Sequence, residues 1–298
     1  MPRLAPFAFV LLWSSSFIAA RAGLRHLTPL LFVAVRLVIS SAILIFLMML
    51  MRRSWRVLRG RWQHCAIAGV LTNTVILQTA HYAMVHTGAA QIALVQTLNP
   101  LLTALLAWPL LGERLRALQW LGLLLGAAGV VLIVGLAAMQ SPVQLHGLLL
   151  AAGGVVGLCG GTLYFGRFCR GVPLLEATSV QLLSATVAAL IATALFETPH
   201  ADWTGDAIAA TLWNAIAVSL GGMALYYFML ARGTAARATA NFYLVPGTAA
   251  LMAWLLLGER LSVLAIAGLV VSSIGCWMVS RRGGKSFITA PRTASGRT

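Results

Sequence analysis

Long apolar runs alternate with short polar breaks along almost the whole chain. Each run holds about 20 residues, the length that an α-helix needs to cross the ~30 Å hydrocarbon core of a bilayer. The pattern predicts an all-α integral membrane protein with ten transmembrane helices, at Leu4–Ala20, Leu30–Met51, Cys65–Val85, Ala89–Leu111, Trp120–Ala138, Gly147–Gly166, Ala177–Phe196, Ala207–Ala231, Ala238–Leu257 and Leu261–Val279. Residues 282–298 form a basic tail rich in Gly, Ser and Thr, which we predict to be disordered.

The second half of the chain repeats the first half at an offset of 146 residues. Pro100 then coincides with Pro246, and Leu110–Leu115 coincides with Leu256–Leu261, both reading Leu-Leu-Gly-Glu-Arg-Leu. Such a match of Pro, Gly, Glu and Arg exceeds what shared apolar composition produces, and an internal repeat fixes the architecture.

Each repeat holds five predicted helices, the first repeat in residues 1–143 and the second in residues 144–281. Because five is an odd number, the second repeat enters the membrane from the opposite side. The sequence therefore predicts two inverted five-helix repeats, an arrangement found in many secondary transporters.

The basic residues predict the orientation of these helices. With the N-terminus inside, 17 of the 21 Lys and Arg residues lie on the cytoplasmic side. The outer loops hold only Arg21, Arg25 and Arg260, and Arg36 lies within a helix. The excess of Lys and Arg in cytoplasmic loops places both termini in the cytoplasm.

Composition agrees with a lipid environment. Hydrophobic residues make up 60% of the chain and charged residues 9%, whereas soluble domains carry about 25% charged residues. The formal net charge of +15 does not indicate nucleic-acid binding, because the arginines are spread over the short breaks between the apolar runs.

Two other features have alternative explanations. The first apolar run, with Ala19–Ala22 as a cleavage site, could be a signal peptide. However, Arg3 is its only basic residue, and cleavage would break the repeat. The chain has four cysteines, Cys65, Cys159, Cys169 and Cys276, and no pair has zinc or redox spacing. We expect ordinary packing for them.

Recognisable motifs occur at Thr97–Leu115, at its second copy Leu244–Leu261, at Trp13–Phe17 and at Val35–Leu37. They resemble motifs of the EamA family of the drug/metabolite transporter superfamily. Thr97–Leu115 is similar to the family signature, and Leu244–Leu261 is its second copy. Trp13–Phe17 and Val35–Leu37 also resemble family features, although Gly157–Gly161 replaces the early aromatic residue expected in the sixth helix. The resemblance implies a ten-helix inverted-repeat carrier with a central cavity. It also implies export of metabolites or amino acids, including the aromatic amino-acid branch.

Polar residues in the third predicted helix share one face. Thr74, Gln78, His81 and Tyr82 follow helical spacing. Polar side chains within a membrane span usually face the bundle interior or a water-filled cavity. We expect this stripe to line a cavity, with interhelical hydrogen bonding as the alternative.

The fourth and ninth predicted helices carry prolines at equivalent positions of the repeat. Proline lacks a backbone N–H and bends a helix, and the freed groups must face protein or water at membrane depth. Pro100 and Pro246 therefore predict paired bends around a binding site, with static packing kinks as the alternative. Polar residues close to them join the expected cavity lining: Gln96, Asn99, Asn241 and Tyr243.

Aromatic residues could complete the cavity or form interfacial belts. The candidates for the cavity are Trp13 with its neighbour Ser16, Tyr164, and at least one of Tyr226 and Tyr227, for which we choose Tyr227. Trp108 and Trp254 lie close to helix ends and fit a belt or packing role.

For the charged residues and the glycines, a structural role is favoured over a functional one. Arg36 lies six residues inside its predicted helix, so we expect it to extend to the outer surface, with contact to an anionic substrate as the alternative. Glu113-Arg114 and Glu259-Arg260 fit pairing and capping at tight turns, with gating as the alternative. The spacing of Gly122 with Gly126, and of the three glycines Gly153, Gly157 and Gly161, favours close helix packing.

The repeat and the polar cavity candidates, taken with the resemblance, predict a secondary transporter of the bacterial inner membrane that moves small neutral or zwitterionic metabolites, such as amino acids, by alternating access. Export as the direction of transport is implied by the resemblance alone. All six acidic residues lie at helix ends or in loops, which argues against a proton-coupled multidrug exporter. An intramembrane enzyme and a channel are less well supported alternatives. We expect no cofactor or metal, no nucleic acid, and a lipid-embedded chain that acts as a monomer or a homodimer.

Overall fold

The computed structural model describes residues 4–87, 92, 95–112, 115–134, 142–169, 171–232, 234–257 and 263–280. Within these ranges the chain is helical, and the only β-type pairing there is an isolated bridge between Leu27 and Ala201. The Glu113-Arg114 and Glu259-Arg260 pairs and the tail at 282–298 lie outside the described residues, as does the end of the fifth predicted helix beyond residue 134.

The described helices overlap every predicted apolar run. They are α1 (Ala5–Gly23), α2 (Pro29–Leu50), α3 (Trp62–Gly69, continued by Val70–Val75 and Ile76–Thr87), α4 (Leu98–Leu111), α5 (Ala117–Val134), α6 (Pro142–Phe168), α7 (Leu174–Phe196), α8 (Gly205–Trp213, continued by Asn214–Gly222 and Met223–Arg232), α9 (Ala235–Ala240, continued by Asn241–Leu244 and Val245–Leu257) and α10 (Val263–Ser280). A short 3₁₀ turn, Trp55–Leu58, lies between α2 and α3.

Five of the helices are long and apolar enough to cross a membrane by length and composition: Ala5–Gly23, Pro29–Leu50, His146–Phe168, Leu174–Phe196 and Gly205–Leu230. Shorter apolar helices occupy Leu98–Leu111, Ala117–Gly129 and Ile266–Val279. Large apolar side chains cover the outside of the bundle, as Phe46 (63% exposed), Leu195 (70%) and Leu124 (60%) illustrate. Many polar side chains are instead buried. This distribution suits a bundle whose outer surface meets lipid.

The principal packing contacts join the two halves, and they occur in pairs related by the repeat. Helix α1 packs on α8 and α9, while its counterpart α6 packs on α3 and α4. Likewise α2 packs on α8, as α7 packs on α3. Helices α5 and α10 pack on each other, and so do α2 and α7. Exchanging the halves therefore reproduces the contact pattern, as a two-fold relationship requires.

The contact between α5 and α10 depends on glycine. A Cβ on Gly275 would lie 2.4 Å from the backbone nitrogen of Gly126, and a Cβ on Gly122 would lie 2.8 Å from the carbonyl oxygen of Gly275. The expected close packing at these glycines is therefore present. In α6, a Cβ on Gly157 or Gly161 would collide with α3, whereas Gly153 has no heavy atom within 4 Å of its Cβ position.

Helices α3 and α8 each contain a π-helical segment at corresponding positions of the repeat. These segments are Val70–Val75 and Asn214–Gly222, and the offset of 146 residues places the first within the second. In a π segment each backbone hydrogen bond spans five residues instead of four, so the helix locally gains a residue. Such segments are frequent at functional sites. Both π segments lie at mid-helix, so they change the direction of side chains in the middle of the bundle.

A carboxylate caps α2 from the second half of the chain. Glu197, directly after α7, accepts hydrogen bonds from the backbone N–H groups of Leu30 (3.1 Å) and Leu31 (2.9 Å). A negative charge at a helix N-terminus satisfies the free N–H groups there and complements the helix dipole. This cap joins the two repeats at one end of the bundle.

Candidate functional site

A small cavity lies between the two halves of the bundle. Its volume is about 20 Å³, and α1, α2, α3, α8 and the segment before α4 form its walls. The polar or aromatic side chains in its lining are Trp13, Ser16, Phe17, Arg36, His81 and Gln96, and apolar residues including Val218 complete it. Four of the predicted cavity residues, Trp13, Ser16, His81 and Gln96, thus surround one space.

Hydrogen bonds connect the polar lining across helices. The indole Nε1 of Trp13 donates to Oε1 of Gln96 at 3.4 Å. The hydroxyl of Ser16 donates to Oδ1 of Asn214 at 2.7 Å, and Asn214 belongs to the π segment of α8. The side chains from α1 are therefore held by the segment before α4 on one side and by α8 on the other.

Arg36 is buried beside the cavity, with only 2% of its surface exposed. Its Nε donates to Oγ of Ser219 at 2.7 Å, and its Nη1 donates to Oδ1 of Asn214 at 3.0 Å. The expectation that Arg36 extends to the outer surface is therefore wrong. The π segment of α8 presents both acceptors to the guanidinium, which directs it inward instead.

His81 has one ring nitrogen occupied and one without a partner. Nδ1 lies 2.7 Å from the carbonyl oxygen of Leu77. A carbonyl can only accept, so Nδ1 carries the proton. Nε2 is buried and has no hydrogen-bond partner among the described residues. In the neutral ring Nε2 is then an acceptor, and it is available to a donor in the cavity.

A layer of aromatic rings lies beside the cavity, toward the N-terminal end of α1. Phe9, one turn before Trp13, packs on Trp13 (5.3 Å between ring centroids), on Tyr226 (5.8 Å) and edge-on against Phe242 (5.3 Å). The hydroxyl of Tyr226 bonds with Thr162 of α6 at 3.0 Å. The layer fills the interior of the bundle next to Trp13, which belongs to the cavity lining.

Tyr227 extends this aromatic layer, with its ring centroid 5.7 Å from that of Tyr226. Its hydroxyl lies 3.0 Å from Oγ1 of Thr72 and donates to Oε1 of Gln181. These bonds join α8 to α3 and α7. Tyr227 is thus buried, but it lies outside the cavity lining and links neighbouring helices instead.

The polar stripe of the third helix does not face one space. Oγ1 of Thr74 donates to the carbonyl of Ala185 at 2.8 Å, and Nε2 of Gln78 donates to that of Ala189 at 3.0 Å. Both bonds attach α3 to α7. Among the four members of the stripe, His81 lies in the cavity lining. The π segment that contains Thr74 alters the helical register from which the shared face was predicted.

Tyr82 and Tyr164 lie away from the cavity lining. The ring of Tyr82 packs against His86, with 5.1 Å between centroids. The hydroxyl of Tyr164 lies 2.7 Å from Nδ1 of His64, and its ring packs on Phe168 at 4.5 Å. Tyr164 is therefore part of a cluster at the C-terminal end of α6.

Asn99, Asn241 and Tyr243 are buried in the packing of α4, α5, α9 and α10. Oδ1 of Asn99 accepts from Thr103 at 3.1 Å, and its Nδ2 has no partner among the described residues. Nδ2 of Asn241 donates to the carbonyl of Ala238 at 3.0 Å. The Tyr243 ring fills the space over Gly126.

Both prolines follow an interruption of their helices. Pro100 lies in the first turn of α4, directly after a turn at Thr97. Pro246 is the second residue of the α-helical segment of α9, after the 3₁₀ segment Asn241–Leu244. A proline without an N–H is tolerated at the start of a helical segment. The two interruptions occupy equivalent places in the two halves.

Sequence reasoning missed two parts of this region. Asn214 and Ser219, which hold Arg36, did not enter the prediction, although an Asn within an apolar run is a signal that could have been followed. The sulfur atoms of Cys65 and Cys169 lie 3.5 Å apart, which sequence spacing cannot reveal.

Within the described ranges, no group of three His, Cys, Asp or Glu side chains could hold a metal ion.

Comparison with known proteins shows which protein family the sequence matches. The model of the EamA-like transporter family matches residues 4–135 and 145–281. The chain is 25% identical to the uncharacterized transporter YvbV of Bacillus subtilis, over 89% of this chain and 87% of that one. It is 26% identical to the uncharacterized inner membrane transporter YedA of Escherichia coli K12, over 87% of this chain and 83% of that one.

A solved structure shares the fold. A protein crystal structure superposes with a TM-score of 0.79 at 24% sequence identity, covering 94% of this chain and 96% of the other. Together with the apolar helices, these matches identify a multi-pass integral membrane protein with a two-repeat architecture, related to transporters.

Proposed function

The chain belongs to the EamA-like transporter family, and on that premise we propose that it exports small zwitterionic or neutral metabolites, such as amino acids, across the bacterial inner membrane. The mechanism is alternating access between two inverted repeats that together span the membrane ten times. Both termini are cytoplasmic, and a single chain is sufficient for transport.

The observation that carries this proposal is the cavity between the halves. Its lining combines aromatic surface at Trp13 and Phe17 with hydrogen-bonding groups at Ser16, His81 and Gln96. Binding sites for small metabolites typically join an apolar wall to a few converging polar groups. At about 20 Å³, the cavity is smaller than an amino acid, so substrate binding requires the surrounding helices to separate.

The paired contacts of the repeats support alternating access. In secondary transporters, motion of one repeat against the other around a central site exposes that site to each side in turn. The aromatic layer of Phe9 and Tyr226 packs behind Trp13 of the cavity lining, and we propose that separation of these rings admits substrate from the cytoplasm. The export direction follows the implication of the family resemblance.

Transport by the purified chain in proteoliposomes tests this function. Uptake of labelled amino acids, sugars and cationic dyes is compared with uptake into protein-free liposomes. The proposal expects saturable uptake of one or more amino acids, and it expects little uptake of dyes. Saturable uptake of dyes alone would support a multidrug exporter instead.

A matched pair of variants connects uptake to the cavity. Trp13→Ala removes the main aromatic surface of the lining, whereas Trp277→Ala alters an exposed ring on α10 (58% exposed). Trp13→Ala is expected to lower uptake about ten-fold or more, in line with the loss of a buried aromatic contact of a few kcal/mol. Trp277→Ala should retain uptake, and an equal loss in both variants would contradict a role for this cavity.

A further inference from the structure

Arg36 brings a positive charge into the middle of the bundle. The residue lies on α2 between apolar neighbours, including Val33 and Leu37, which are fully buried. An arginine remains protonated under ordinary conditions. Moving such a charge out of water is costly unless an opposite charge and hydrogen bonds compensate for it.

Neutral groups provide only part of that compensation. Ser219 and Asn214 accept two hydrogen bonds from the guanidinium, which has five N–H groups to donate. Oδ1 of Asn214 also accepts from Ser16. These acceptors fix the orientation of the guanidinium, but they do not cancel its charge.

Three of the described carboxylates interact with groups other than Arg36. Glu176 pairs with Arg53 at 3.9 Å, and Glu197 accepts from the backbone at the start of α2. Asp202 lies 3.5 Å from His200 in an exposed loop. Within the part of the chain that the structure describes, no carboxylate forms an ion pair with Arg36.

The guanidinium of Arg36 borders the same cavity as an acceptor that has no hydrogen-bond partner among the described residues. His81 lines this space, and its Nε2 is buried without a partner in the described ranges. The cavity therefore offers a fixed cation with N–H groups to spare and a neutral acceptor. A carboxylate matches the first and an ammonium group matches the second.

A purely structural role explains these features less well. Bridging α2 to α8 requires only a hydrogen-bond donor, and a neutral side chain would supply one without burying a charge. A guanidinium, by contrast, presents a planar fork that matches a carboxylate in two parallel hydrogen bonds. Its placement at the wall of a cavity gives that fork access to a ligand.

We propose that Arg36 is the residue that binds the carboxylate of the transported metabolite, and that carboxylate binding completes the neutralisation of the buried charge. This inference rests on the proposed transport function, and it narrows the substrate class to molecules with a carboxylate, including zwitterionic amino acids. Nε2 of His81 accepts a hydrogen bond from a donor on the same molecule.

The test measures how strongly the protein prefers a substrate with a carboxylate over the same molecule without one. If Arg36 had only a structural role, its replacement would not change this preference. Each amino acid of the panel is compared with its methyl ester, which keeps the side chain and the amino group but loses the negative charge. Transport is measured in proteoliposomes. Binding is measured separately, as the shift in unfolding temperature of the full detergent-purified chain with each compound.

Wild type is expected to bind and transport the acid at least about ten-fold better than the ester. A factor of this size corresponds to the free energy of a hydrogen bond to a charged group. Arg36→Gln should remove most of this preference, and Arg36→Lys, which keeps the charge but not the fork, should give an intermediate value. The control Arg56→Gln, in the exposed turn before α3, should keep the wild-type preference.

The outcomes separate the inference from the proposed function. Equal handling of acid and ester by wild type overturns the assignment of Arg36, even if Arg36→Gln fails to fold. A preference that persists in a folded Arg36→Gln variant overturns it as well. Acid-selective binding that depends on Arg36, without transport of any compound, supports the assignment and contradicts the transport function.

Discussion

Arg36 and Asn214 are joined by a hydrogen bond of 3.0 Å between Nη1 and Oδ1, although 178 residues separate them in the chain. Arg36 belongs to the first repeat and Asn214 to the second. The bond therefore crosses the interface at which an alternating-access carrier must move. Asn214 also binds Ser16, so one amide connects α1, α2 and α8.

The variant Asn214→Asp tests this arrangement. It puts a carboxylate of nearly the same shape against the Arg36 guanidinium, and a charge-assisted bond should replace a neutral one. We expect the unfolding temperature to rise by about 2 °C or more. We also expect transport to fall about ten-fold, because the internal carboxylate competes with that of the substrate.

The control for this variant is Asn214→Leu, which removes the acceptor at similar volume and should lower the unfolding temperature. Both variants are measured for thermal unfolding in detergent and for transport in proteoliposomes. Transport by Asn214→Asp at the wild-type rate would be inconsistent with competition at Arg36.

Gly275 and Gly153 form a matched pair for helix packing. Alanine at Gly275 would place a Cβ 2.4 Å from the backbone of Gly126, whereas the Cβ position of Gly153 has no heavy atom within 4 Å. Gly275→Ala must separate α5 from α10, and we expect a loss of about 1–3 kcal/mol in stability. Gly153→Ala should be neutral or stabilising by up to about 1 kcal/mol. Unfolding of both variants in detergent measures the difference, and similar stability would refute the close helix contact.

The helix positions were predictable from the sequence because they depend on local apolar length. The described helices α2 and α7 begin and end within about three residues of the predicted runs. The presence of two repeats was predictable from the repeated Leu-Leu-Gly-Glu-Arg-Leu segment, and the family match over both halves agrees with it. The π segments of α3 and α8 left no comparable signal, because their one-residue change in register arises from packing between helices.

The cavity was less predictable because its lining depends on contacts between distant parts of the chain. Trp13 and His81 were found through residue type and helical spacing. The direction of Arg36 depends on Ser219, 183 residues later, and a position close to a helix end suggested the opposite. Thr74 and Gln78 have the same polarity as His81, but the carbonyl groups of α7 accept their hydrogen bonds.

The proposed topology is testable at two exposed positions. Ser54 lies between α2 and α3, and Gly205 starts α8 with open space at its Cβ position. Single cysteines at these sites should be labelled by a membrane-impermeant reagent from opposite sides of the membrane, with Ser54→Cys on the cytoplasmic side. The four native cysteines are buried, so background labelling should be low. Labelling of both positions from the same side would exclude an inverted repeat.

We predict that coupling to protons is weak. The titratable groups of the described cavity lining are Arg36 and His81, and arginine keeps its proton. An imposed pH gradient should therefore change efflux by less than about two-fold, and any effect through this cavity should disappear in His81→Gln. Efflux is compared with and without the gradient in both proteins. Strong acceleration that persists in His81→Gln would contradict this account and direct attention to Glu113 or Glu259.

Exchange across the membrane is the most direct test of a carrier with one central site. Proteoliposomes are loaded with an unlabelled amino acid that the protein transports, and uptake of the labelled compound is followed from outside. Alternating access predicts that internal substrate accelerates uptake several-fold and drives a transient accumulation, while its methyl ester does not. Uptake that is unaffected by internal substrate would indicate a channel and would contradict alternating access between the two repeats.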